Sequence, residues 1–166
     1  MRDSLDPALL VAMLALVFAS SITAEENSQK SAQFNSLCQN LMGQVLQQAS
    51  LSFAKSSDKI PTSAQSVLDE IVEIAFDCPA LLISVTGHTD NTGNEATNRA
   101  LSKARAESVV AYLTERGIDP LRLSADGVGS DTPIASNDNA AGRQMNRRIK
   151  FDLSFENKGY GPYIIR

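Results

Sequence analysis

The hydrophobic positions of the chain follow the period of an amphipathic helix in some stretches and that of a strand in others. Over residues 34–46 apolar side chains recur at steps of three and four. The same spacing returns after Pro61 and ends before Pro79. One apolar stripe on each segment predicts two helices that pack against a partner.

Four short stretches have the length and pattern of strands, and these are residues 51–54, 80–86, 121–126 and 147–155. A long helix is predicted over residues 95–116, because turn-forming residues precede it and Gly117 follows it. A helical turn over residues 142–146 leads into the last strand. The order is therefore βαβαβ(α)β, preceded by one extra helix. It predicts an α/β fold, a two-layer sandwich with helices packed on a small mixed sheet.

The N-terminal 24 residues are typical of an export segment. Arg2 precedes an unbroken apolar run over residues 8–19, and small residues follow that run. The run is shorter than a usual membrane-spanning helix, as in a signal peptide. We interpret residues 1–24 as a signal peptide, and the alternative is a retained single-pass membrane anchor at residues 8–24.

The rest of the chain divides into three parts. Residues 25–32 are polar and lack periodicity, so we predict a linker there. Residues 33–155 contain every other predicted helix and strand and form one domain, with its core over residues 51–153. Residues 156–166 form a tail to which no element is assigned.

Composition bears on two questions, whether the protein binds nucleic acid and whether its cysteines form a disulfide. The formal net charge is −4 and no cluster of Lys and Arg with interleaved aromatic residues is present, so nucleic acid is not an expected partner. The two cysteines, Cys38 and Cys78, follow the export segment. An even count in an oxidising compartment favours a disulfide, and the alternative is two separately buried free thiols.

A candidate binding site lies between the second predicted strand and the long helix. Asp90 falls in a turn flanked by glycines, and Arg105 lies on the helix beside its core stripe, near Asn98 and Leu101. A carboxylate and a guanidinium on a shared rim can bind the amine and the carboxylate of one zwitterion. The alternative is that Asp90 only caps its turn and Arg105 forms a surface ion pair.

His88 is the single histidine of the chain, and it precedes Thr89 and Asp90. One histidine with one nearby carboxylate supplies neither three metal ligands nor a nucleophile with an oriented base. We therefore predict a structural histidine, no catalytic residues, no metal and no cofactor. The competing hypothesis is a metal-assisted hydrolase that uses His88 and Asp90.

Several motifs occur in order along the chain: GHTDNTG from Gly87, N-x-x-L-S-x-x-R-A from Asn98, G-V-G from Gly127, and NRRI from Asn146. Together they resemble the OmpA-like C-terminal domain family, which includes peptidoglycan-associated lipoprotein and the MotB stator protein. The resemblance covers about residues 51–153. It implies a module that binds peptidoglycan.

The resemblance also implies roles for particular residues. Asp90 and Arg105 would grip the diaminopimelate of the peptide stem, which carries a free amine and carboxylate when uncrosslinked. Asn98 and the backbone around Thr89 would assist. The complete set of predicted ligand-binding residues is Thr89, Asp90, Asn98, Leu101, Arg105, Asn146, Arg147 and Arg148, of which the last three match the family's NRR element. Cys38 and Cys78 resemble the cysteine pair of a subgroup in which a helix precedes the first strand.

The implied protein is not an enzyme. It would bind peptidoglycan non-covalently and tether itself to the cell wall for envelope integrity, in the periplasm at the outer membrane. The alternative is an inner-membrane-anchored subunit of a stator-like or envelope complex that uses the same domain as its wall anchor. A proton-conducting stator is poorly supported, because no acidic residue lies within residues 8–19.

Overall fold

The computed structural model of the protein describes residues 7–48 and 51–155. The described chain forms four α-helices, three strands and a short 3-10 turn at Pro120–Arg122. In chain order the helices and strands are α1 (Pro7–Gln48), α2 (Thr62–Asp77), β1 (Leu81–Gly87), α3 (Glu95–Glu115), β2 (Leu123–Gly127), α4 (Ala140–Asn146) and β3 (Ile149–Phe155).

The three strands form one mixed sheet with β1 in the centre. The order across the sheet is β2-β1-β3, with β1 parallel to β2 and antiparallel to β3. Val85 of β1 lies opposite Ala125 on one side and opposite Phe151 on the other. Side chains of β1 alternate between buried and half-buried, whereas those of the outer strands alternate mostly between half-buried and exposed. The predicted α/β fold with a small mixed sheet is confirmed.

Residues 51–54 were predicted as a strand, and in this detail the prediction is wrong. The segment has no secondary structure, although Leu51 and Phe53 are both buried in the core. Their alternation with a half-buried and an exposed residue imitates a strand, because both patterns place every second side chain inward. No ladder pairs with the segment in the described sheet, so its backbone oxygens remain available to side chains.

Helix α1 is longer than the sequence pattern predicts. It runs without interruption through residues 25–32, which we predicted as a linker, and an exposed Lys30–Glu26 ion pair lies there one helical turn apart. Apolar periodicity is absent from that stretch because its side chains face solvent almost throughout. Among the residues described, no helix is long and apolar enough to cross a bilayer. The roles of residues 1–24 and 25–32 stay predictions, and residues 1–6 and 156–166 lie outside the described structure.

A disulfide joins α1 to the end of α2, as predicted. The sulfurs of Cys38 and Cys78 are 2.08 Å apart and the Cα atoms 6.0 Å apart. Both residues are buried in a hydrophobic cluster that includes Met42 and Leu68. The C-terminal part of α1 is therefore fastened to the domain. Phe34, Val45 and Leu46 of its apolar stripe also pack against this cluster, whereas Leu37 and Leu41 are 53% and 43% exposed.

Helix α3 begins and ends at signals that are visible in the sequence. The side chain of Asn94 accepts hydrogen bonds from the N–H groups of Ala96 and Thr97, which caps the first turn. Gly117 has a φ of 97°, a left-handed conformation that suits the residue just after a helix. The helix therefore starts at a defined point directly after the Asp90 turn.

Two glycines allow α3 to lie against the ends of β1 and β2. A Cβ atom at Gly87 would lie 1.9 Å from the carbonyl oxygen of Ser102, and one at Gly127 would lie 2.1 Å from the backbone nitrogen of Lys103. Neither distance is sterically possible, so any larger residue would force the helix away from the sheet. This close approach brings the loop after β1 beside the first turns of α3.

Candidate ligand-binding site

The loop after β1 holds Asp90 in a defined orientation. Its Oδ1 accepts a hydrogen bond from the N–H of Thr92 at 2.9 Å. From α3, Nδ2 of Asn98 donates to the carbonyl oxygens of Asp90 and Thr92 at 3.3 and 3.1 Å. Asn98 therefore fixes the backbone of the loop, and Asp90 is only 8% exposed. The predicted turn-capping role of Asp90 is present, together with a second contact described next.

The second oxygen of Asp90 forms an ion pair that spans 57 positions of the chain. Nη1 of Arg147 lies 2.6 Å from Oδ2 of Asp90. Burial by itself would raise the pKa of Asp90, but the hydrogen bonds from Arg147 and Thr92 together outweigh it, so the pKa lies below its ordinary value. The carboxylate is therefore ionised at neutral pH and already has a cationic neighbour.

Arg105 is the largest fully buried side chain of the domain, at 1% exposure. Its Nε donates to the carbonyl oxygen of Ser57 at 2.8 Å, and its Nη2 donates to that of Ala54 at 3.0 Å. The guanidinium also stacks over Phe53, with 5.2 Å between its carbon and the ring centroid. The alternative that Arg105 makes a surface ion pair is therefore wrong, because the side chain is buried against the segment at 51–57.

One nitrogen of Arg105 remains available. Nη1 is buried and has no hydrogen-bond partner in the described structure. Burial lowers the pKa of Arg105, the charge of Arg147 lowers it further, and the charge of Asp90 acts in the opposite direction. A buried guanidinium with an unsatisfied donor is costly unless an acceptor arrives, so this nitrogen marks a place where a ligand acceptor would be stabilised.

These groups line a single pocket of about 500 Å³. Six of the eight predicted ligand-binding residues contribute to its wall. The complete lining is Lys55, Ser56, Thr89, Asp90, Thr92, Asn98, Leu101, Arg105, Ala140, Arg143 and Arg147. A fixed carboxylate and a fixed guanidinium in one pocket can hold the opposite charges of a single small ligand.

The hydroxyl of Thr89, rather than its backbone N–H, has unused hydrogen-bonding capacity. The N–H already donates to the carbonyl oxygen of Gly129 at 2.9 Å. The hydroxyl Oγ1 is buried and has no partner within the described residues. A hydroxyl can donate and accept, so Thr89 could pair with either a carboxylate or an amine of a ligand.

Asn146 and Arg148, which were predicted beside the ligand, lie outside the pocket lining. Asn146 is completely buried, and its Oδ1 accepts from the N–H groups of Ile134 and Ala135 at 2.8 and 3.0 Å. Nη2 of Arg148 donates to the carbonyl oxygen of Thr132 at 3.1 Å. Of the two arginines in the motif, the structure therefore places Arg147 in the pocket. Contact of any of these residues with a ligand stays a prediction.

Five residues of the pocket wall were not predicted from the sequence, and these are Lys55, Ser56, Thr92, Ala140 and Arg143. Arg143 could have been found, because it precedes Arg147 by four residues and such residues share one face of a helix. Lys55 and Ser56 carried no usable signal. They belong to a polar loop whose position depends on the burial of Phe53 and on the hydrogen bonds from Arg105.

His88 lies beside the pocket but not in its wall. It is 4% exposed, and its Nδ1 is 3.1 Å from the hydroxyl of Thr132. The backbone N–H of His88 donates to the carbonyl oxygen of Arg148. Burial, and then the charges of Arg148 and Lys150, lower the pKa of His88 to about 4. The imidazole is therefore neutral at pH 7. Over residues 7–48 and 51–155, no three His, Cys, Asp or Glu side chains are grouped so that they could hold a metal ion.

Known proteins resemble this chain both in sequence and in fold. The chain is 42% identical over 101 residues to outer membrane protein A of Bordetella avium, which covers 61% of this chain and 51% of that protein. It is 34% identical over 100 residues to peptidoglycan-binding protein ArfA of Mycobacterium tuberculosis, and these residues cover 60% of this chain and 31% of that protein. The chain thus spans about half of the first relative's length and less of the second.

The fold is also that of a solved structure. The crystal structure of the peptidoglycan-associated lipoprotein from Burkholderia pseudomallei superimposes with a TM-score of 0.61 at 26% identity, over 63% of this chain and 88% of that one. The sequence model of the OmpA family matches residues 52–147, which is more than half of the chain and includes the whole pocket wall. The protein therefore belongs to the OmpA family.

Proposed function

We propose that this protein binds peptidoglycan non-covalently through the pocket and thereby tethers itself to the cell wall, without catalysing a reaction. The observation that carries the proposal is the buried guanidinium of Arg105, which has an unpartnered Nη1 in the same pocket as the ionised Asp90. Two opposite charges held by the fold form a receptor for a zwitterion.

The ligand group is the diaminopimelate of the stem peptide. The carboxylate at its side-chain end pairs with Arg105, and the ammonium beside it pairs with Asp90. Both protein groups are immobilised before the ligand arrives, Arg105 by two backbone carbonyls and Asp90 by Thr92 and Arg147. Such preorganisation reduces the entropy that binding would otherwise lose.

The names of two similar proteins support peptidoglycan as the ligand. One is named a peptidoglycan-binding protein and another a peptidoglycan-associated lipoprotein. Lysine differs from diaminopimelate by the absence of the side-chain carboxylate. A receptor that depends on Arg105 should therefore reject stems that carry lysine at that position.

The proposed location is the periplasm, with the protein attached to the wall at the outer membrane. The export-like segment at residues 1–24 and the Cys38–Cys78 disulfide support an oxidising compartment outside the cytoplasm. N-terminal sequencing of the mature protein separates the two forms. A start near residues 20–25 corresponds to a cleaved signal peptide, and retention of Met1 corresponds to an inner-membrane anchor.

Two ion pairs, one in the pocket and one on the surface, give a matched test. Asp90→Asn removes the carboxylate that pairs with Arg147 in the pocket, and Asp131→Asn removes the one that pairs with Arg99 at 2.7 Å on the surface. Loss of one partner of a desolvated charge contact typically costs about 2 to 5 kcal/mol, whereas an exposed pair is worth about 1 kcal/mol or less. Asp90→Asn should therefore weaken binding at least about thirtyfold, and Asp131→Asn about fivefold or less.

The measurement is retention on purified sacculi, followed by calorimetry with a soluble stem peptide that contains diaminopimelate. Arg105→Lys should lose binding in the same assays, because an ammonium cannot reproduce the guanidinium geometry. Equal affinity of Asp90→Asn, Arg105→Lys and wild type, with circular dichroism showing folded protein, would overturn the pocket as the binding site. Equal affinity for lysine-containing stems would overturn the diaminopimelate assignment alone.

A further inference from the structure

The pocket carries more positive charge than the proposed contacts use. Its wall contains four cations and a single carboxylate, Asp90. The cations are Lys55, Arg105, Arg143 and Arg147. This local excess is opposite in sign to the net charge of the whole chain, which is −4. A zwitterion with one ammonium and one carboxylate adds no net charge, so it would leave the excess in place.

The ion pair with Asp90 neutralises only Arg147 among the three cations other than Arg105. Arg147 forms its ion pair with Asp90 through Nη1, and its Nε is buried without a hydrogen-bond partner in the described structure. Arg143 donates Nη1 to the backbone oxygen of Asn137 at 2.8 Å, and within the described residues no carboxylate lies within 4.0 Å of it or of Lys55. The wall of the pocket therefore carries more cationic donors than its single carboxylate neutralises.

The positions of these cations suit a second anion. Arg143 and Arg147 are one helical turn apart, and the N–H of Arg147 donates to the carbonyl oxygen of Arg143. Lys55 lies in the exposed loop on the 51–57 segment, the same segment whose carbonyls hold Arg105. The loop that carries Lys55 and the end of α4 that carries the two arginines are far apart in sequence, and the fold brings them to the same pocket.

We propose that Lys55, Arg143 and Arg147 form a second anion subsite, which binds a further carboxylate of the ligand. This rests on the proposed function and names the class of stem that the pocket prefers. The preferred ligand has one ammonium and at least two free carboxylates, with one carboxylate on Arg105 and the other on the second anion subsite.

A stem peptide offers such a carboxylate in two places. One is at the C-terminus of the peptide, and the other is on the acidic residue that precedes diaminopimelate. Both are the same chemical group, and amidation removes the charge of either one while leaving the ammonium and carboxylate at the side-chain end untouched. Three synthetic stem peptides therefore separate the sources: one with all carboxylates free and two with a single amidation each.

The experiment is calorimetric titration of the full-length protein with these three peptides at one low salt concentration. For wild type, at least one amidation should weaken binding about tenfold or more, since a charge-assisted contact is worth about 1.5 to 3 kcal/mol. Lys55→Gln and Arg143→Gln should reduce affinity for the unmodified peptide and shrink the effect of that amidation. They should bind the amidated peptide as wild type does.

Lys59→Gln is the matched control for Lys55→Gln, because Lys59 lies in the same loop but outside the pocket wall. It should leave both affinities and their ratio unchanged. If Arg143→Gln disturbs the loop that contains Asn137, the Lys55 variant still decides the outcome. An effect of Lys59→Gln equal to that of Lys55→Gln would mean general electrostatic attraction and would overturn the subsite.

The two proposals fail in different ways. If wild type binds all three peptides within about twofold of one another, the second anion subsite is wrong and the proposed function stands. If wild type binds none of them, both proposals are wrong. Weaker binding of an amidated peptide that persists unchanged in Lys55→Gln and Arg143→Gln would place the additional carboxylate elsewhere on the protein.

Discussion

Mild acid should destabilise the protein through a single buried side chain, His88. In the folded protein the pKa of His88 is lowered to about 4, first by burial and then by the charges of Arg148 and Lys150, with Asp152 acting in the opposite direction. In the unfolded chain the same imidazole has its ordinary pKa of 6.5. Between these two values the unfolded chain binds a proton that the folded protein does not.

The sign and size of the effect follow from this difference. Because the unfolded state binds more protons, the free energy of unfolding falls as the pH decreases from about 6.5 to about 4. The limiting slope is about 1.4 kcal/mol per pH unit, and integration from about pH 7 to about pH 5 amounts to about 2 kcal/mol. The lowered pKa values of Asp90 and Glu26 act mainly below about pH 5, so His88 dominates that interval.

The assay is urea unfolding at pH 7 and pH 5 with the disulfide intact, for wild type and for His88→Gln. The wild type should lose about 2 kcal/mol between the two pH values, and the variant should lose much less whatever its absolute stability. Because the chain contains one histidine, its imidazole resonance can also be followed by NMR without assignment ambiguity. An imidazole that titrates near 6.5 in the folded protein, or equal losses in both proteins, would refute the reasoning.

Two further substitutions test the packing that shapes the site, again by urea unfolding. Gly127→Ala should lower the free energy of unfolding by about 2 to 3 kcal/mol, since its Cβ would lie 2.1 Å from the backbone nitrogen of Lys103. Gly43→Ala in α1, where a Cβ meets nothing within 4 Å, should be neutral or slightly stabilising, and similar losses for both would refute the argument. Asn146→Ala should cost about 2 kcal/mol or more, because it leaves two backbone N–H groups without their acceptor. Its exposed neighbour Met145→Ala should change stability by about 0.5 kcal/mol or less, and an equally small effect at Asn146 would show that its amide does not hold the loop.

Features that depend on neighbours in sequence were predictable from the sequence alone. Apolar spacing between Pro61 and Pro79 located α2 within a residue or two of its observed ends, because an amphipathic helix must bury one stripe. Turn chemistry around Asn94 and Gly117 marked the limits of α3 for an equally local reason. The ordered motifs then indicated the family, and with it the region of the pocket.

The arrangement of the pocket was decided by tertiary structure. Arg105 is held by carbonyls about 50 positions earlier in the chain, and Asp90 is paired with an arginine 57 positions later. No local pattern encodes such pairings. They depend on how closely α3 approaches the sheet at Gly87 and Gly127, and on residues 51–57, which contact Arg105 of α3 instead of pairing as a strand.

The same distinction explains which motif arginine enters the pocket and which does not. Arg147 and Arg148 are adjacent in sequence and chemically identical, so their order along the chain cannot separate them. In the fold, Arg147 caps α4 beside Asp90, while the next residue turns toward the carbonyl oxygen of Thr132 as the chain enters β3. Residue types and spacing thus determined which groups were available for a site, and packing determined which of them meet, because contacts between distant residues form only when the helices and strands that carry them pack together.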